Sequence, residues 1–205
     1  MKIYVVRHGE TDWNTEMRLQ GRTDIPLNAQ GMEEAKKTSE ALKSVPFSAV
    51  YVSPLHRARQ TAEILKRDRR IPVYVDQRLI EMGFGIYEGK SSKNEKYLVP
   101  DKDFGYKFRE KPSLYVPPEG GESFEEVCER GTDFLKELAA DTRYQDDCVL
   151  VVAHGASIRG LLSSLCMNGD IDQFWGGELL KNCSVTVLDV RNGEIRLETL
   201  GQVLY

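Results

Sequence analysis

Hydrophobic positions in this chain alternate between short unbroken runs and stretches with a helical period. Ile3 to Val6 (within a strand predicted from Lys2), Ala49 to Val52 and Cys148 to Ala153 are apolar runs of strand length, the mark of strands covered on both faces. Pro72 to Val75 gives a shorter one. Leu27, Met32, Ala35, Ser39 and Leu42 recur at helical spacing behind Asn28, a good cap, and predict an amphipathic helix over 28–44. Ser53-Pro54 closes the second strand, and the segment after it, to about Lys66, carries Ala58, Ala62 and Leu65 on one helical side. Further helices are predicted from about Ser123 to Ala140 and through Ile158, Leu161, Leu162 and Leu165. Ser184 to Val190 and Glu194 to Leu200 flank Arg191-Asn192-Gly193, where the Asn-Gly step predicts a hairpin.

Strand and helix alternate up to that hairpin. The pattern predicts an α/β fold in three layers, a mostly parallel sheet with helices on both faces and one antiparallel strand. From Gln77 to Gly121 the period is lost, and Gly, Pro and aromatic residues take over, among them Tyr97, Phe104, Tyr106, Phe108 and Tyr115. Aperiodic segments of this length are usually functional lids or carry irregular structure of their own. This one is expected to cap a site within a single domain spanning 1–205.

Composition narrows the classes. A net charge of −4 argues against a nucleic-acid partner, yet a few focused arginines can still hold an anionic substrate. Cys128, Cys148, Cys166 and Cys183 form no CxxC pair, so reduced thiols are expected rather than a zinc or dithiol site. Met1 to Val6 is too short for a signal peptide, and Val149 to Ala153 is far too short to span a membrane. A cytoplasmic protein without a membrane partner is expected, with a homodimer as the open option.

In open sheets of this kind, ligands bind beyond the carboxyl ends of the strands. Arg7-His8-Gly9, Ser53 to Arg57 and His154-Gly155 all fall at such ends, so separate strands deliver two histidines and two arginines to one crevice. Displacement at phosphorus spreads negative charge over three oxygens, and guanidinium forks match that geometry. Arg7 and Arg57 fit this role, with Asn14 and His154 as further donors. His8, the candidate nucleophile, must be neutral to attack, and neighbouring arginines disfavour its protonated form. A leaving alkoxide also needs a proton, for which Glu81, among apolar neighbours, is the candidate and Glu88 the competitor. The Tyr-Glu-Gly context of Glu88 reads more like a turn contact.

Together, Arg7-His8-Gly9-Glu10-Thr11 with Trp13-Asn14, Ser53 to Ala58 with Thr61, Glu81 with Gly85 and Glu88-Gly89, Gly121-Glu122-Ser123, and His154-Gly155 with Arg159 resemble the histidine phosphatase superfamily, the phosphoglycerate mutase-like proteins. The resemblance runs in order over nearly the whole chain. It implies a phosphohistidine intermediate at His8, a phosphate pocket of Arg7, Arg57, His154 and Asn14, and Glu81 as proton donor and then acceptor. Gln20, Gly21 and Gly155 are implied at the substrate, a small phosphorylated metabolite. No metal and no organic cofactor is implied.

Mutases of that family carry an adjacent arginine pair after the general acid, and Asn after the second His-Gly. Here Arg109 stands alone between Phe108 and Glu110, and the residue is Ala156. Hydrolysis is therefore expected ahead of mutase-type transfer. Two readings from other classes stand beside it: a metal-dependent hydrolase using His8, His154 and Glu81, and a non-catalytic phospholigand-binding module. Arg59 reads as a solvated helix face, Arg69-Arg70 as an exposed turn, and His56 as a packing or hydrogen-bonding residue.

Overall fold

The computed structural model describes residues 1–177 and 179–204. Its centre is a six-stranded sheet: β1 (Lys2–Arg7), β2 (Phe47–Val52), β3 (Val73–Val75), β4 (Cys148–Ala153), β5 (Val185–Arg191) and β6 (Glu194–Gln202). They lie in the order β3-β2-β4-β1-β5-β6. β1 to β4 are mutually parallel, and β5 runs antiparallel to both β1 and β6. The expected antiparallel strand is thus β5, and its hairpin turns at Asn192 and Gly193, which both take positive φ.

Alternation along the central strands explains why they read as continuous apolar runs. Ile3, Val5, Val149 and Val151 pack on one face with Phe134, Leu138, Ile158 and Leu161, while Val6, Leu150 and Val152 pack on the other with Leu42, Ala58 and Leu65. The helices are α1 (Asp12–Thr15), α2 (Ala29–Ala41), α3 (His56–Lys66), α4 (Phe104–Arg109), α5 (Phe124–Ala140), α6 (Gly155–Leu161) and α7 (Ser163–Cys166). Among the described residues, no helix is long and apolar enough to cross a membrane.

Several expectations change in detail. Asn28 does cap α2, its side chain accepting from Gly31 N, but Met32 points outward and is 40% exposed. Gly31 takes the inward place because a Cβ there would stand 2.1 Å from the Glu10 carbonyl oxygen. β3 begins at Val73 and all three of its residues are exposed at the sheet edge. The helix after His154 stops at Leu161, and residues 163–166 form the separate turn α7. Arg69 is half-buried, because its guanidinium donates to the carbonyls of Leu42, Lys43 and Val45 just past α2.

The aperiodic stretch 77–121 has structure without a long helix or strand. Short 3-10 turns and α4 carry Phe84, Phe104 and Phe108 into a cluster with Phe124, Phe174 and Trp175. The Phe104 and Phe108 rings stack with centroids 5.3 Å apart, and Phe108 also packs on Phe124 and Trp175. Glu122, buried, pins the end of the stretch through Arg130 at 2.8 Å and Arg22 at 3.2 Å.

Candidate active site

β1 delivers Arg7 and His8 to the carboxyl edge of the sheet, next to the end of β4 at His154. His8 is 2% exposed, and its Nδ1 lies 2.7 Å from the Gly9 carbonyl. A carbonyl only accepts, so Nδ1 carries the proton and Nε2 keeps its lone pair. Burial first, then the charges of Arg57 and Arg7, hold the His8 pKa well below the ordinary imidazole value. The ring is therefore neutral at physiological pH.

The two imidazoles sit with centroids 5.0 Å apart. His154 is fully buried, its Nε2 2.7 Å from Ser53 Oγ and its Nδ1 without a protein partner. Its pKa is likewise held well below the ordinary value, by burial first and then by Arg57, His8 and Arg7. With the Ser53 hydroxyl donating to Nε2, a neutral His154 would present Nδ1–H to an anion.

Arg57, at the start of α3, is fully buried. Its terminal nitrogens donate to Gly21 O at 2.7 Å and Thr23 O at 2.9 Å, while Nε has no protein partner. Burial pulls its pKa down to about 10, with Glu81 the foremost opposing charge, so it remains a cation at neutral pH. Arg7 is lowered in the same way by burial; it donates to Leu180 O, and its Nε is likewise unpartnered. Asn14 closes the capping box of α1, accepting on Oδ1 from Thr11 N at 3.2 Å and Thr11 Oγ1 at 3.1 Å.

Glu81 meets the start of α6. Oε1 accepts from Ser157 N at 3.0 Å and Met82 N at 2.9 Å, and Oε2 from Ala156 N at 3.4 Å. Backbone amides surround this carboxyl, in place of the apolar neighbours expected from sequence. Glu88 is the turn contact anticipated for it: its oxygens accept from Arg22 N at 2.9 Å and Thr23 N at 2.8 Å.

Arg7, His8, Asn14, Gln20, Gly21, Arg57, Glu81 and Gly155 line one cleft of about 150 Å³, with His154 buried behind His8. Among the described residues, no group of three or more His, Cys, Asp and Glu side chains is placed to hold a metal ion. Residues 3–203 match the family model described as Histidine phosphatase superfamily (branch 1). The chain belongs to the histidine phosphatase superfamily.

Its relatives in the superfamily fall on both sides of the phosphatase–mutase divide. The Bacillus subtilis (strain 168) protein named "Uncharacterized phosphatase PhoE" is 34% identical over 163 residues, 80% of this chain and 76% of the relative. The Proteus mirabilis (strain HI4320) protein named "Probable phosphoglycerate mutase GpmB" is 32% identical over 197 residues, 94% of this chain and 86% of the relative. Among solved structures, Bacillus stearothermophilus YhfR superposes with a TM-score of 0.88 at 33% identity, covering 98% of this chain and 97% of that one.

This superfamily member also places in its cleft residues that sequence reasoning passed over. Arg18, Trp175, Leu179 and Leu180 join the lining, whereas Phe84 and Phe108, also in it, come from the 77–121 stretch expected to cap the site. Arg18 is held 3.9 Å from the Trp13 ring centroid and 4.3 Å from that of Tyr97, and it pairs with Glu16 at 2.9 Å. No local pattern marks these residues, because the contacts that carry them to the cleft are long-range. His56 and Arg59 are exposed and do not line it.

Proposed function

We propose that the protein is a phosphomonoesterase working through a phosphohistidine. The reading is carried by one observation: a buried, neutral His8 whose Nδ1–H is fixed on the Gly9 carbonyl, leaving the Nε2 lone pair in an arginine-lined cleft. In the first step Nε2 attacks phosphorus and the bond to the ester oxygen breaks, with protonated Glu81 giving its proton to the departing alkoxide. In the second, the Glu81 carboxylate takes a proton from water, the water oxygen bonds to phosphorus, and the N–P bond breaks to release phosphate.

Arg7, Arg57, Asn14 and His154 supply donors for the three equatorial oxygens, where charge accumulates. Gln20, Gly21 and Gly155 line the same cleft and are assigned to contacts with a small phosphorylated metabolite. Water rather than a second substrate hydroxyl is favoured as acceptor. Arg109 has no adjacent arginine partner and lies 4.7 Å from the Trp175 ring centroid. Ala156, following His154-Gly155, gives the helix only a backbone donor there.

A phosphomonoester panel in excess chelator, with and without an acceptor alcohol, tests the proposal. Phosphate release by wild type, its loss in His8→Ala, and acid-labile label on His8 after quenching are expected. Transfer to the acceptor without net release would convert the reading to mutase-type chemistry, and dependence on added metal would defeat it.

A further inference from the structure

The segment Leu180 to Ser184, leading into β5, grips the nucleophile from behind. Arg7 N–H donates to Ser184 O at 3.2 Å, and Cys183 N–H is shared between Arg7 O at 3.1 Å and His8 O at 3.3 Å. Within this clamp Asn182 works through its side chain. Its Nδ2 donates to the His8 carbonyl at 3.0 Å and reaches Asn14 Oδ1 at 3.4 Å. One carboxamide thereby joins two members of the phosphate site that come from different elements.

We propose that Asn182 is a positioning residue for phosphoryl transfer, setting both the aim of His8 Nε2 and the amide orientation of Asn14. The inference rests on the phosphomonoesterase reading and deepens it. On the His8 side, the ring bonds to Gly9 O, the carbonyl of the peptide that follows His8–Gly9, so the place of that acceptor depends on how the His8–Gly9 peptide before it is held. The peptide is pinned at its nitrogen by Thr61 Oγ1, 3.1 Å away, and at its oxygen by Asn182 and Cys183.

On the Asn14 side, donors from Thr11 N, Thr11 Oγ1 and Asn182 Nδ2 converge on Oδ1. Flipping the amide would face three donors with an NH2 group, so Nδ2 is the end left for an anion. Thr11 supplies two of these donors locally; Asn182 supplies the one that also holds the nucleophile. Loss of the Asn182 side chain removes the shorter of two donors to the His8 carbonyl and loosens the Asn14 amide together. Misplacement of that kind lowers turnover without removing any group that touches substrate.

Hydrolysis of p-nitrophenyl phosphate and calorimetric binding of inorganic phosphate, on the full chain, test this with Asn182→Ala, Asn14→Ala and the double variant. Asn182→Ala should keep the wild-type thermal midpoint, lower kcat about tenfold and weaken phosphate binding severalfold. In the Asn14→Ala background, removing Asn182 should still lower kcat through His8 but change phosphate affinity less than about twofold. Additive losses of phosphate affinity, or unchanged kcat in Asn182→Ala, would overturn the proposal. Should Asn182→Ala fail to fold, Asn182→Ser takes its place in the same cycle. A wild type that binds phosphate with the non-additive pattern yet hydrolyses nothing would sink the phosphomonoesterase reading while supporting the orientation of Asn14. Normal His8-dependent hydrolysis with an indifferent Asn182 would sink only the present inference.

Discussion

His8 and His154 resist protonation in the fold, by burial first and then by the arginines around them, and this links stability to pH. In the unfolded chain both take up protons near pH ~6.5. Below that pH, and until the lower folded values are passed, the unfolded state binds more protons. The corresponding stability is fully present above about pH 6.5 and is lost as pH falls through the window. The thermal midpoint of the unliganded protein should drop between about pH 7 and 5, and the drop should shrink in His154→Asn; an equal slope in the variant would contradict the assignment. Arg57 makes a second residue-scale case, because its fork holds Gly21 O and Thr23 O while its Nε remains unpartnered. Lysine cannot reproduce that fork, so Arg57→Lys should lower kcat/KM by roughly 10² or more and lower the thermal midpoint too, because a buried carbonyl loses its donor. The residues at strand ends were legible in the sequence because a strand end and a Gly turn are local signals. The surroundings of Glu81 were not, since its hydrogen bonds to Ala156 and Ser157 join segments far apart in the chain.

Among the elements, α2 shows where local pattern and packing part company. Met32 has the right spacing for burial, but the contact available to that face is the backbone at Glu10, which admits only Gly31. A Cβ on Gly9 would in turn stand 2.4 Å from Gly31 O, so the helix and the His8–Glu10 loop meet backbone to backbone. Gly31→Ala should cost about 1–3 kcal/mol of stability and reduce activity as well, measured by denaturant titration and turnover. Ser123 offers a contrast. It forms a capping box with Glu126 at the start of α5, and a box of this kind can be read from S-x-x-E alone. Ser123→Ala should cost about 1 kcal/mol while leaving kcat/KM within about twofold of wild type, since Ser123 does not line the cleft.

Across the whole molecule, the aromatic cluster couples the 77–121 stretch to the body. Phe108 packs on Phe84, Phe104, Tyr115, Phe124 and Trp175, and its carbonyl accepts from Trp175 Nε1. Phe108→Ala should cost about 3–5 kcal/mol by thermal or denaturant unfolding and lower activity with it. A variant that kept its stability would mean that the stretch is not packed as described. This packing was invisible in the sequence, where aromatic residues without a period give no face to assign. The sheet order carries a further consequence, in the time domain. β1 contains residues 2–7, yet its two sheet neighbours are residues 148–153 and 185–191. During synthesis β1 is made before either of its neighbours and waits for β4 and then β5 before it can pair on both sides, a topology that slows folding. A ribosome-bound fragment ending before residue 180 would hold His8 without the β5 partner and the clamp behind it. Phosphoryl-transfer competence should therefore arise in one late step, and truncated chains should be inert.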